Sequence, residues 1–355
     1  MLTLSELAAR HGLVFGTALT ERGLADPRYR ALAATQFSSV TPENAMKWDH
    51  VERERHTRTW AAADAIARFA ARHGQEVRGH PLVWYDQLPP WLTGGHFTPG
   101  ELTTLLRTHV TTLARRYAGT VTAWDVVNEP LADDGCLRRS IWHEALGPDH
   151  IAQALTWAHA ADPGARLYLN EFNTLEENPK SKALYDLAGS LLDRGVPLHG
   201  IGFQCHLLLG QEMPAVARTL NRFAELGLEV AVTELSVRML PPVTPAKLAA
   251  QAAAYRAVVE QCLAAPACTG LTVWGVGDAD SWVPQGSRSP YGHPTLHDED
   301  YRPKPAREAV ARALAATPRG LGERSRHVGR AHGPALIRTT DHVPPPPGPA
   351  RAPAP

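Results

Sequence analysis

Neither sign of charge is in excess in this chain. Its 355 residues carry 36 Lys and Arg against 36 Asp and Glu, a formal net charge of zero. That balance gives no electrostatic reason to expect nucleic acid or an anionic membrane as a partner. Also missing is any apolar run near the roughly 20 residues that a bilayer-spanning helix needs. The N-terminus has no basic segment followed by an apolar core, and residues 1–11 read as an amphipathic first helix, not as a secretory signal. A cytoplasmic protein is therefore expected as the sequence stands, and a secreted one if a signal has been trimmed away. No Cys-x-x-Cys or His-Glu-x-x-His spacing occurs, so no metal is expected. Cysteine itself is scarce, with four in the chain. Cys262 and Cys268 are close enough to bridge a small loop, but a cytosolic product would keep both as reduced thiols. Cys136 and Cys205 have no evident partner in the sequence.

What the chain does have is alternation. Hydrophobic residues make up 44% and charged ones 20%, the balance of a globular protein with a packed core. Short apolar runs recur at 13–19, 36–40, 76–83, 121–128, 166–170, 200–204, 229–234 and 270–276. Between them lie longer stretches with helical patterning at 61–73, 101–117, 151–160, 182–194, 214–226 and 245–263, with a last one near 305–315. Apolar strands separated by helices belong to a parallel sheet covered on both faces. Eight such units predict an α/β fold, a (β/α)8 TIM barrel forming a single domain over residues 1–316. From Thr317 onward Arg, His, Gly and Pro accumulate, and the chain closes on Pro353-Ala354-Pro355. Such a composition cannot bury a core, so 317–355 is expected to be a disordered, dispensable tail. A monomer is expected.

Two of the strands end in carboxyl groups. Trp124-Asp125-Val126-Val127-Asn128-Glu129-Pro130 closes the fourth apolar run, and Pro130 stops it because proline cannot donate to a ladder. Alone, this Glu129 reads equally well as the start of a surface loop. The seventh run, Glu229-Val230-Ala231-Val232-Thr233-Glu234-Leu235, adds a second carboxylate near its own end. Two such groups, far apart in sequence, are what a glycosidase requires. One protonates the leaving oxygen, and the other attacks the anomeric carbon or activates a water. In a parallel barrel they share the C-terminal rim.

Other strand ends carry groups suited to sugar hydroxyls. After the second run come Glu43, Asn44 and Lys47, which by themselves would pass for a capped helix start. The third brings His80, Trp84 and Gln87; the sixth brings Gln204 and His206. The eighth brings Trp274 and Trp282, whose indole faces suit the C–H faces of a pyranose. For Trp60 and Trp157, core packing is the expected role.

Together these motifs resemble the endo-β-1,4-xylanases of glycoside hydrolase family ten, over roughly residues 4–316. The resemblance implies a retaining double displacement on xylan or xylo-oligosaccharides, with Glu234 as nucleophile and Glu129 as acid/base. The two carboxyl groups would then stand about 5–5.5 Å apart. It further implies that Asn128 bonds the sugar 2-hydroxyl and that Gln204 and His206 flank the nucleophile. Glu43, Asn44, Lys47, His80, Trp84, Gln87, Trp274 and Trp282 would hold the glycone, and Phe172 would line the leaving-group side. No metal or organic cofactor is implied. Secreted bacterial relatives carry a disulfide at the position of Cys262 and Cys268, which opposes the reduced pair expected of a cytosolic chain.

Several positions depart from the family pattern. Ser236 stands where the family commonly has an Asp behind the histidine, so no charge holds an imidazolium there. Tyr85-Asp86 replaces His-Ser, and Glu171-Phe172 replaces Asp-Tyr. The glycone side is matched and the aglycone side is altered. That asymmetry suggests, as an alternative, cleavage of or transfer from a short or unusual β-glycoside by a tailoring or transglycosylating enzyme on the same scaffold. A non-catalytic sugar-binding protein would need neither carboxylate.

Overall fold

A computed structural model describes residues 2–285 and 290–316; the tail expected to be disordered, 317–355, lies outside the described residues. Eight strands pair in parallel in chain order: Val14–Leu19 (β1), Ser39–Pro42 (β2), Glu76–Gly79 (β3), Val121–Asn128 (β4), Arg166–Glu171 (β5), Gly200–Phe203 (β6), Glu229–Arg238 (β7) and Cys268–Val273 (β8). Strand β8 returns to β1, with Val14 opposite Gly270 and Thr17 opposite Val273, and the barrel closes. Parallel neighbours need a long crossover between them. The chain supplies one helix after each strand: Pro27–Gln36, Ala61–Arg72, Pro99–Arg116, His150–Ala161, Pro179–Asp193, Val216–Ala224, Pro245–Ala264 and Pro305–Ala315. This is the (β/α)8 barrel the alternation predicts.

Several helix starts are written locally. Asp26, Thr98, Asn178 and Thr244 each cap a backbone N–H with the side chain and precede a proline in the first turn. Thr98 and Glu101 complete a reciprocal capping box, as do Thr3 and Glu6 at the first helix, Leu4–Ala9. His11 then bonds the Leu314 carbonyl at 2.8 Å, which ties the first helix to the last.

Boundaries differ from expectation where a local rule intervenes. The run at 36–40 becomes a strand only at Ser39, because Gln36 closes a helix that the apolar pattern did not announce. Strand β3 ends at Gly79, since Pro81 has no N–H to offer. Leu82 and Val83 then resume bonding to the Asp125 and Val126 carbonyls of β4 at 3.0 and 2.8 Å. Strand β7 runs past Glu234 to Arg238, because a short strand, His206–Leu208, pairs with Ser236 to Arg238. Strand β8 starts and stops earlier than expected, and Gly275 at φ 120° turns the chain beyond it.

The thiol expectation is also corrected. Cys262 and Cys268 form a disulfide across Cα atoms 5.7 Å apart, within ordinary bridging reach, so the pair is not reduced. Cys136 and Cys205 are free. Trp60 and Trp157 pack against the core as expected. No helix among the described residues is long and apolar enough to cross a membrane.

Candidate active site

Every strand ends at the same rim, and there the two carboxyl groups meet. Glu129 follows β4, Glu234 lies in β7, and both are buried. A chain of amides joins them. Asn170, in β5, donates from Nδ2 to Glu234 Oε1 at 2.7 Å and to Asn128 Oδ1 at 2.9 Å. Asn128 Nδ2 in turn donates to Glu129 Oε1 at 3.3 Å. The acceptor-only Glu234 carboxylate sets how that amide faces, and Thr233 Oγ1 donates to the remaining Asn170 Oδ1 at 2.6 Å. Gly202 makes the room, since a Cβ there would collide with Asn170 Oδ1. Gln204 Nε2 adds bonds to Glu129 Oε1 at 3.0 Å and Asn128 Oδ1 at 3.3 Å.

The two carboxyl groups have different surroundings. Glu234 Oε2 meets His206 Nε2 at 3.1 Å, and His206 Nδ1 lies 2.9 Å from Ser236 Oγ. Burial pushes the Glu234 carboxyl up, but the His206 hydrogen bond and the charge of His80 and His206 outweigh it. The net displacement is below the ordinary carboxylate value. A hydroxyl donates or accepts, so Ser236 serves either protonation state of the imidazole without favouring the cation as Asp would. A carboxyl group so depressed stays ionised well into the acid range, the state that attack on an anomeric carbon requires, and if Glu234 makes that attack, activity is lost as pH falls through its pKa. His206→Asn removes the largest opposing influence and leaves burial less opposed. The acid limb of kcat/KM then moves to higher pH, and a pH–rate profile of the variant checks it.

The residues expected at the glycone side are brought together. Asn44 Nδ2 donates to Glu43 Oε1 at 3.2 Å, Lys47 Nζ donates to Asn44 Oδ1 at 2.9 Å, and the ammonium sits 4.9 Å from the centre of the Trp84 ring. Burial raises the Glu43 carboxyl and lowers the Lys47 ammonium. His80 Nδ1 bonds Asp125 Oδ2 at 2.9 Å, and its ring stands edge-on to Trp274 at 5.3 Å. Arg78 clamps the same Asp125. Burial pushes that carboxyl up, but Arg78 and His80 hold it below its usual value. Trp84 Nε1, Gln87 Oε1 and Trp282 Nε1 are buried with no hydrogen-bond partner among the described residues, which leaves two donors and an acceptor for a hydroxylated ligand.

On the other side lies a cleft of about 420 Å³ lined by Phe172, Gln204, His206, Arg238 and Trp282 among others. Trp282 thus faces both this cleft and His206, 5.4 Å from that ring. Tyr85 is half-exposed. Burial, and next the negative charge of Glu129, push its phenol up to about 12. Behind Phe172, Lys180 is fully buried and pairs with Glu171 Oε1 at 2.9 Å. Burial pushes the Glu171 carboxyl up to about 7 against the pull of Lys180.

Asn170 and Thr233 belong to this site and were not singled out from sequence. Asn170 closes the apolar run at 166–170 and pairs with Asn128 on the next strand, and its place at the end of that run is the available signal. Arg138, which touches Glu129 through its backbone, lies on a loop with no motif to mark it.

A sequence model of glycosyl hydrolase family 10 matches residues 3–313. Endo-1,4-beta-xylanase C of Phanerodontia chrysosporium is 42% identical over 322 residues, covering 88% of this chain and 79% of that one. Endo-1,4-beta-xylanase B of Thermotoga neapolitana is 41% identical, covering 80% of this chain and 82% of its own. Among solved structures, xylanase 10B from Thermotoga petrophila RKU-1 in complex with xylobiose superposes with a TM-score of 0.86 at 37% identity. That match covers 88% of this chain and 97% of the other.

Proposed function

The chain belongs to glycosyl hydrolase family 10, and from that premise we propose that it hydrolyses β-1,4-xylosidic bonds with Glu234 as nucleophile and Glu129 as acid/base. The observation that carries these roles is the amide bridge Asn128–Asn170 between two rim carboxyl groups, of which, among the described residues, only Glu234 also takes a histidine hydrogen bond. The group held ionised attacks the anomeric carbon. Glu129, on the leaving-group side, gives its proton to the departing oxygen and then takes one from water in the second step, so configuration is retained. Asn128 serves the 2-hydroxyl; Glu43, Asn44, Lys47, His80, Trp84, Gln87, Trp274 and Trp282 hold the glycone, and Trp282 also lines the cleft that Phe172 lines. His206 flanks the nucleophile as expected, Gln204 bonds the Glu129 carboxyl instead, and Phe172 lines the leaving-group side.

The catalytic unit of this proposal is residues 1–316, acting as a monomer on carbohydrate alone; 317–355 is dispensable for hydrolysis. The Cys262–Cys268 disulfide favours an oxidising compartment over the cytoplasm. One observation supports the alternative reading, a non-polymeric or transferred aglycone: Tyr85 and Phe172, both departures from the family pattern, lie against Arg138, which bonds the Glu129 carbonyl. Product analysis with an added alcohol separates the two, since transfer products in excess over free sugar favour the second.

The test of the main reading is incubation with 2,4-dinitrophenyl 2-deoxy-2-fluoro-β-xylobioside, followed by intact mass and peptide mapping. The fluorine slows both steps, while the good leaving group lets the first proceed. A stable fluoroxylobiosyl adduct on Glu234 is the expected result. A folded protein that forms none ends the xylose assignment.

A further inference from the structure

Glu129 has φ 54°, a left-handed backbone that costs a non-glycine residue about 1–2 kcal/mol. Something must hold it there, and the hydrogen bonds say what does. All three carbonyls of residues 129–131 accept from one residue. Arg138 donates from Nε to the Glu129 carbonyl at 2.9 Å, from its backbone N–H to the Pro130 carbonyl at 2.7 Å, and from Nη2 to the Leu131 carbonyl at 2.7 Å. Proline has no N–H, so two amide donors remain. Glu129 N–H donates to the Asn170 carbonyl at 2.8 Å, and Leu131 N–H donates to Glu171 Oε2 at 3.0 Å. Every backbone polar group of the segment is therefore taken by Arg138 or by the end of β5.

The holders are themselves held. The Arg138 guanidinium makes no ion pair among the described residues, and it lies 4.5 Å from the centre of the Tyr85 ring and 5.7 Å from that of Phe172. A guanidinium so placed spends its donors on the two carbonyls. Glu171 is fully buried, accepts from Phe172 N–H at 3.0 Å with its other oxygen, and is paired with the equally buried Lys180. A buried ion pair is a poor source of stability, and hydrophobic residues of like volume often do as well. It does fix geometry, because the carboxylate has to stay where its cation is.

We propose that Arg138 and the Glu171–Lys180 pair form a clamp on residues 129–131, making these three side chains positioning residues for proton transfer by Glu129. The inference rests on the assignment of Glu129 as acid/base. None of the three acts on substrate; each acts through the backbone of that residue. Misplacing a catalytic group by about 1 Å can cost about 10²-fold, and here the loss falls on the step that needs the proton.

The experiment compares kcat/KM for 2,4-dinitrophenyl β-xylobioside, whose leaving group needs no proton, with that for phenyl β-xylobioside, whose leaving group does. The variants are Arg138→Met and the double variant Glu171→Gln/Lys180→Met. The double change removes both buried charges together, so neither is left unpaired, and the single Gln oxygen cannot serve the Leu131 and Phe172 N–H groups at once. Each variant is expected to lose about 10²-fold on the phenyl substrate and to stay near wild type on the dinitrophenyl one. A general loss of fold lowers both alike. Equal losses on the two substrates, or no loss on either, overturn the clamp. Glu129→Ala runs alongside: if it too fails to discriminate between leaving groups, the acid/base assignment fails. If it discriminates and the clamp variants do not, only the clamp fails.

Discussion

Glu234→Gln abolishes hydrolysis, with kcat falling by about 10⁴-fold or more, while the thermal midpoint stays close to that of the unchanged protein. The two halves of this expectation come from the same contacts. An amide is no nucleophile at an anomeric centre, so the double displacement loses its first step and no covalent glycosyl-enzyme forms. The fold survives because the site can rearrange its hydrogens. The Gln oxygen accepts from Asn170 Nδ2 in place of Glu234 Oε1, and its amino group donates to His206 Nε2. That requires the tautomer with the proton on Nδ1, and Ser236 Oγ, 2.9 Å from Nδ1, accepts it. Both contacts that the carboxylate makes are replaced, so the loss of stability stays small beside the about 1–3 kcal/mol cost of orphaning a buried group. Activity on phenyl β-xylobioside and a melting curve on the same sample are the measurements. Glu234→Gly adds a chemical check. Azide enters the space of the lost carboxylate and attacks an activated β-xylobioside from that face, releasing the phenol and giving the inverted glycosyl azide.

The contrast between Glu234 and Asn170 shows what a sequence can and cannot tell. Glu129 and Glu234 are legible because each is a carboxyl group following a mostly apolar, β-branched run, a purely local pattern. Asn170 also follows an apolar run, yet its role exists only between strands. It bonds Asn128 across 42 residues of chain and Glu234 across 64, and that joint contact comes into being when the barrel closes. Arg138 is further out of reach. It lies on a loop, and its three bonds to consecutive carbonyls depend on how that loop folds back. The helix Pro27–Gln36 is a milder case. Its Asp26 cap and first-turn proline are in the sequence, but no clear apolar stripe advertises it. Ser236 is the opposite kind of case. The sequence flags it as a missing charge, and the structure shows that the hydroxyl keeps the contact with His206 while giving up the charge.

Loss of the acid/base is expected to look different from loss of the nucleophile. Glu129→Ala leaves kcat/KM for 2,4-dinitrophenyl β-xylobioside near wild type and lowers that for phenyl β-xylobioside or xylotriose by about 10²–10⁴-fold, the ordinary worth of a positioned proton donor. The reason lies in which step each parameter reports. The ratio kcat/KM follows formation of the glycosyl-enzyme, for which Glu234 is intact and a dinitrophenolate departs without help. The constant kcat then falls even for the activated substrate, because release of the intermediate now lacks the base that Glu129 provides to water. With the intermediate accumulating, KM falls with it. Azide needs no base. Added to this variant it restores turnover and yields the glycosyl azide of retained configuration, the opposite anomer from that given by Glu234→Gly. The two anomers, read by NMR from the two variants, assign each carboxyl group to its face of the sugar. The same anomer from both would contradict the assignment of Glu234 as nucleophile and Glu129 as acid/base.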